Sequence, residues 1–121
     1  MNAAYNVTDM TAAQVDRAFP LVNAVDAVFD LSDWRQFCQR IIASRSEGTA
    51  NEWLLVCANA LGYLKGLCLA RVNQTDSGSV LDVPLYVVAT VIDEEGVQSA
   101  LQARLQMLGA TLGAAVPAIP T

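Results

Sequence analysis

Apolar residues along this chain of 121 residues change their spacing twice, dividing it into a helical part, an extended part and a second helical part. Val15, Ala18, Val22, Val25 and Phe29 recur at helical spacing. Thr11-Ala12-Ala13-Gln14 ahead of them fits a capping box, with Met10 placed to staple against Val15. Pro20 lacks the amide a helix interior needs, so this first helix is predicted to end or kink near Ala18 and resume as a short second segment. Trp34, Phe37, Cys38, Ile41 and Ile42 make the stripe of a further helix. Asp30 or Ser32 caps it, and Arg40 and Arg45 suit the negative end of its dipole. Ser46-Glu47-Gly48-Thr49 reads as loop.

From Glu52 the period shortens. Glu52 to Ala58 is apolar on both faces, the pattern of a strand covered on both sides. Asn59-Ala60-Leu61-Gly62 supplies a turn, and Tyr63 to Val72 returns as the partner strand of a hairpin. Gly66 within that strand marks a bulge or a close backbone approach. Asn73 to Ser79 reads as a polar hairpin loop, and Val80 to Val91 as the third strand. Pro84 cannot donate to a ladder, which puts a bulge or a sheet edge at that point. After the acidic turn Asp93-Glu94-Glu95-Gly96, residues Val97, Leu101, Leu105, Leu108 and Leu112 form the apolar face of the longest helix. Gly109 and Gly113 weaken its end, and Ala114 to Thr121 is an apolar tail bearing prolines. The predicted order is helix, helix, strand, strand, strand, helix: one α/β (α+β) domain over residues 1–121, built on an antiparallel three-stranded meander.

Composition narrows the functions open to such a domain. Apolar residues make up 54% of the chain, more than a small core needs, so a subunit interface is expected and a homodimer is the simplest form. The net charge is −5, with Lys65 the single lysine and six scattered arginines. No positive stripe exists to neutralise phosphates, which argues against nucleic acid and against an anionic membrane surface. No uncharged apolar run approaches the roughly 20 residues a membrane span needs. Met1 to Asn6 lacks the basic and apolar parts of a signal peptide, so a cytoplasmic location is expected. Histidine is absent, which removes Cys/His zinc sites, Cys-His nucleophiles and Ser-His-Asp triads. Cys38, Cys57 and Cys68 lie in apolar segments and read as core residues, a reactive thiol being the alternative.

Four short stretches carry a resemblance. They are Ala18-Phe19-Pro20-Leu21-Val22, Gly62-Tyr63-Leu64-Lys65-Gly66-Leu67, Leu85-Tyr86-Val87-Val88 and Gly96-Val97-Gln98-Ser99-Ala100-Leu101. In this order, from about Tyr5 to Gly113, the chain resembles the first half of the GNAT acyl-CoA N-acyltransferase superfamily. The resemblance implies that acetyl-CoA or coenzyme A is the cofactor. Its pantetheine arm would lie along Tyr86, Val87, Val88 and Ala89, and its pyrophosphate at Gly96, Val97 and Gln98. In the family that last turn reads Gln or Arg, two residues, Gly, one residue, then Gly or Ala. Gly96 matches the first glycine, but Asp93 stands where Gln or Arg is expected and Gln98 where a small residue is. Like charges about 4 Å apart repel by roughly 1 kcal/mol in water and about 4 kcal/mol at an effective dielectric of 20. The turn therefore reads as a helix cap rather than a phosphate clamp.

The family fold continues with further strands and a helix that often carry a tyrosine general acid, so its C-terminal half is expected to be missing and no catalytic residue is assigned. Tyr63 and Tyr86 read as strand packing residues with hydrogen-bonded hydroxyls. Glu52 and Asp82 are the carboxylates within strands, each a candidate buried base or an edge residue. A third strand without its neighbour would leave unpaired backbone groups, which places the homodimer interface at Val80–Val91, at Gly96–Leu112, or at both. Three functions follow: a diverged N-acetyltransferase that binds acyl-CoA through a degenerate loop, a non-catalytic interaction module on the same scaffold, or a binder of a small apolar ligand.

Overall fold

The computed structural model describes residues 5–25, 30–48, 51–90 and 92–116. The apolar position Phe29, loop residue Thr49, strand end Val91 and tail residues 117–121 lie outside them. Strands β1 (Tyr5–Asp9), β2 (Glu52–Asn59), β3 (Leu64–Thr75) and β4 (Gly78–Val88) form one antiparallel sheet in the order β1-β2-β3-β4. Helices α1 (Val15–Val25) and α2 (Leu31–Glu47) cover one face. Helix α3 (Glu94–Leu112) covers the other.

Strand β1 corrects the predicted three-stranded meander to four strands. Tyr5 and Val7 turn toward the α3 face while Asn6 and Thr8 are exposed, a period of two over five residues. So short an edge strand gains its order from pairing with β2, where Val7 sits opposite Cys57. The double apolar face of β2 is real: Leu54 and Val56 join the α1–α2 core, and Trp53, Leu55 and Cys57 join the α3 core.

The predicted break at Pro20 does not occur, and α1 runs through it to Val25. Pro20 is exposed, whereas Val15, Ala18 and Val22 are buried against the sheet. The Trp34 indole donates to the Val15 carbonyl at 2.7 Å, pinning the start of the helix. Tertiary contacts thus offset the lost amide. At the front, Gln14 Oε1 accepts from the Thr11 amide at 2.9 Å, one half of the predicted box, and Ala12–Gln14 forms a short 3-10 turn. Between the two cap candidates for α2 the structure selects Asp30, which accepts from the Asp33 amide at 2.7 Å.

Both irregularities expected in the sheet are present. Cys57 faces Gly66 and Ala58 faces Leu64, so Lys65 is the extra residue of a bulge. A Cβ on Gly66 would lie 2.8 Å from Val97 and 2.9 Å from the Val87 carbonyl, so glycine also lets α3 approach the sheet. In β4, Leu85 faces Leu69 and Asp82 faces Arg71, which leaves Val83-Pro84 bulged opposite Ala70. Across that bulge the side chains change face: Leu81 and Val83 pack under α3, Leu85 and Val87 under α1 and α2. The predicted polar loop Asn73–Ser79 is instead mostly strand, closed by a tight turn at Asp76-Ser77. Beyond the helices these strand ends have no face to bury, so the alternation that announces a strand is missing there.

Val97, Leu101, Leu105 and Leu108 are buried, as the stripe on α3 requires, while Leu112 is 37% exposed. After Gly113 the chain turns back and Ala115 lies parallel to Val80 on the outer side of β4. Part of the predicted tail is therefore the start of a further strand position.

Candidate functional site

The site lies at one end of the sheet, where β4 finishes and α3 begins. Its walls are the outer edge of β4 and the first turn of α3. That edge has two halves. Near its start, the Leu81 amide donates to Ala115 at 2.8 Å and the Ala115 amide donates to Ser79 at 3.0 Å. Near its finish, the Ala89 amide donates inward to Lys65 at 2.8 Å. Backbone groups alternate along a strand, so the N–H and C=O of Tyr86 and Val88 point outward. Among the described residues no strand pairs with them there.

The side chains of the predicted site divide between the two cores. Val87 packs under α1 and α2, and Tyr86 and Val88 pack under α3. Ala89 is exposed, Gly96 and Gln98 are half-buried, and the Val97 side chain is fully buried. Val97 can therefore offer a ligand its backbone only. That backbone is engaged: the Val97 amide donates to the Asp93 carbonyl at 3.2 Å. The Gly96 amide donates to Asp93 Oδ1 at 3.2 Å, which makes Asp93 the cap of α3.

Tyr5 completes the corner. Its hydroxyl donates to Asp93 Oδ2 at 2.7 Å, so β1 and the α3 cap are tied across 88 positions of sequence. The hydrogen bond to Asp93 raises the Tyr5 phenol above its ordinary pKa of 10.0, with burial and the carboxylate charge acting in the same direction. A Cβ on Gly96 would run into the Asp93 carboxylate and stand 2.8 Å from Tyr5 Cε2. Glycine is required here by the side chains of Asp93 and Tyr5. Glu94 and Glu95 follow, both exposed and without an ion pair among the described residues.

The remaining candidates for chemistry are accounted for by structure. Glu52 is held by Arg40 and Arg71, each at 2.8 Å. Burial is the largest single influence and pushes the Glu52 carboxyl up, but the two guanidinium groups together outweigh it and bring the carboxyl below its ordinary range. It is not a base with a raised pKa. Asp82 is exposed and paired with Asn73. Tyr63 precedes β3 on the turn and is 61% exposed, while the Tyr86 hydroxyl is buried with no hydrogen-bond partner, so neither is the packed, bonded strand tyrosine expected. The three thiols are buried and free. Burial pushes Cys38 and Cys68 up to about 12 and Cys57 to about 11, the opposite of what a nucleophilic thiol needs. No group of His, Cys, Asp or Glu among the described residues is arranged to hold a metal ion.

Sequence reasoning missed Tyr5. Nothing in Tyr5-Asn6-Val7 points to a partner so distant in sequence, and only the five-residue alternation places Tyr5 on the sheet at all.

No protein-family model matches this sequence, nor does any curated protein sequence. Solved structures do. Glucosamine-6-phosphate N-acetyltransferase from Arabidopsis thaliana aligns with a TM-score of 0.75 at 12% identity, over 97% of this chain and 82% of its own. A GNAT family acetyltransferase from Staphylococcus aureus aligns with a TM-score of 0.74 at 10% identity, over 97% of this chain and 88% of its own. An aminoglycoside N-acetyltransferase crystallised in complex with CoA aligns with a TM-score of 0.76 at 16% identity, over 96% of this chain and 78% of its own. The share of these neighbours left uncovered is nearer a fifth than a half. Among the described residues no helix is long and apolar enough to cross a membrane. The chain has the GNAT-like acetyltransferase fold.

Proposed function

We propose that this chain is an acetyltransferase-like protein that binds acyl-CoA by its pantetheine arm and leaves the pyrophosphate ungripped. The observation that carries this reading is the outer edge of β4, closed at Val80 by Ala115 and, among the described residues, without a partner strand at Tyr86 and Val88. A pantetheine arm holds two amides in an extended chain and can add to such an edge as a strand would. Tyr86 and Val88 would offer it backbone donors and acceptors, with Val87 and Ala89 completing the wall. Gly96, Val97 and Gln98 stand where the pyrophosphate would arrive, but Asp93 already occupies the Gly96 amide. Of the structural neighbours, one was crystallised with CoA, which makes the cofactor plausible for the fold.

The filled corner favours a second reading, a non-catalytic interaction module on the same scaffold. A second copy of the chain would then pair with the free half of the edge. Helix α3 would add little to that homodimer, since its apolar stripe is spent on the sheet and Met107 and Leu112 are its exposed large hydrophobics. A compact monomer in sedimentation at micromolar concentration would count against it.

Calorimetry with acetyl-CoA and coenzyme A tests the first reading. Saturable binding with a Kd between about 1 µM and 1 mM is expected. Val88→Pro removes one outward amide without touching the β3 ladder and should abolish that binding, with thermal unfolding confirming that the variant is folded. No heat with either ligand overturns the acyl-CoA reading and leaves the interaction module.

A further inference from the structure

The opposite end of the sheet holds a cavity that plays no part in the site above. It opens between the end of β1, the last turns of α2 and the start of β2, and measures about 370 Å3. Met10, Ile41, Ile42 and Leu54 line its floor, and Met10, Ile41 and Leu54 are among the buried core. The rim carries an ion pair, Arg45 Nη2 to Asp9 Oδ2 at 2.6 Å, with side chains 34% and 44% exposed. The Arg45 guanidinium also stands 5.2 Å over the Trp53 ring.

Each half of this pair keeps back a polar atom. Among the described residues, Asp9 Oδ1 accepts no hydrogen bond and Arg45 Nε donates none, although both are buried. Orphaned buried polar atoms are uncommon and destabilising. Here an acceptor and a donor are orphaned on the two residues of one ion pair, both of which line the cavity. The complementary partner is a group that carries both a donor and an acceptor.

We propose that the cavity binds a free α-amino acid with an apolar side chain. Its carboxylate pairs with Arg45, its ammonium with Asp9, and its side chain lies on the floor of Met10, Ile41, Ile42 and Leu54. Charge selects the zwitterion. A simple anion would gain Arg45 but meet the Asp9 carboxylate, and a simple cation would gain Asp9 but meet Arg45. Either repulsion weakens binding relative to the zwitterion. An uncharged apolar molecule would use the floor and leave both orphans in place. The volume falls within the roughly 300–1,000 Å3 of small-molecule pockets. Both rim side chains are open to solvent on one side, so a turn of either presents its orphaned atom to the ligand. The cavity lies at the β1 edge of the sheet and Tyr86 and Val88 at the opposite, β4 edge, so this binding stands or falls independently of acyl-CoA.

Calorimetry on the full chain with L-leucine tests the assignment. Saturable one-to-one binding is expected. Glycine, 4-methylpentanoate and isopentylamine remove the side chain, the ammonium and the carboxylate in turn, and each should bind at least tenfold more weakly. Arg45→Gln and Asp9→Asn should weaken leucine tenfold or more. Ile42→Trp fills the floor without touching the ion pair and should abolish binding, with thermal unfolding confirming the fold. The analogue series needs no variant, so a substitution that fails to fold does not blunt the test. Three results would overturn the proposal: no saturable heat with leucine, isoleucine or methionine; 4-methylpentanoate binding as tightly as leucine; or full binding by a folded Ile42→Trp.

Discussion

The two ends of the sheet treat their carboxylates in opposite ways. At the end where β2 begins, arginines neutralise them: Arg40 and Arg71 hold Glu52, and Arg45 holds Asp9. At the end where β4 finishes, Asp93 is held by neutral donors, the Tyr5 hydroxyl and the Gly96 amide, and Glu94 and Glu95 have no cation beside them among the described residues. The first arrangement cancels charge. The second fixes a carboxylate in place with no guanidinium beside it among the described residues. The contrast separates two uses of a carboxylate: one end balances it with guanidinium groups, and the other uses it to cap the first turn of α3.

The largest effect is expected from the layer that both ends share. Leu101→Ala removes a fully buried side chain beneath the sheet centre and should cost about 2–5 kcal/mol in chemical denaturation. A loss under 1 kcal/mol would mean that α3 does not pack as described.

Next comes the neutralised end. Glu52→Gln leaves Arg40 and Arg71 without their carboxylate and should cost about 1–3 kcal/mol at neutral pH. Because the folded carboxyl sits below its unfolded range near 4.5, its contribution is fully present above that range and fades as pH falls through the folded value. Wild type and Glu52→Gln should therefore converge in stability as the pH is lowered below about 4.5. A gap that persists in acid would contradict the ion-pair account.

At the charged end, Tyr5→Phe removes the hydroxyl that holds Asp93 and should lower the midpoint of chemical denaturation by less than Glu52→Gln does. The smallest effect is at the thiols. Cys38, Cys57 and Cys68 should stay silent toward a disulfide reagent in the folded protein and react only on unfolding.

Much of the scaffold was legible because local pattern and burial agree. The stripe Trp34, Cys38, Ile41 lies on the buried face of α2, and Val97, Leu101, Leu105 on that of α3. Gly66 and Pro84 announced the two bulges, since each breaks a local rule that only a bulge or an edge relieves. What stayed hidden depends on distant partners. Strand β1 is too short to show itself without β2, and α1 survives Pro20 only because Ala18 and Val22 are buried. The acidic turn was readable as a cap, but Tyr5 as its second anchor was not. Gly96 illustrates the consequence: a bulky residue there would displace Asp93 and Tyr5 before it reached any ligand, so it is a poor probe of cofactor binding.

Asp93 is the better probe. Asp93→Asn keeps an acceptor for the Gly96 amide and removes the charge, so the cap should survive and an anion should be admitted. The direct measurement is the affinity ratio of acetyl-CoA to S-acetylpantetheine in wild type and in Asp93→Asn. The account predicts a ratio near one in wild type and about tenfold or more in favour of acetyl-CoA in the variant, a gain of about 1.4 kcal/mol. A wild-type protein that already prefers acetyl-CoA a hundredfold would contradict it, as would a variant whose ratio does not change.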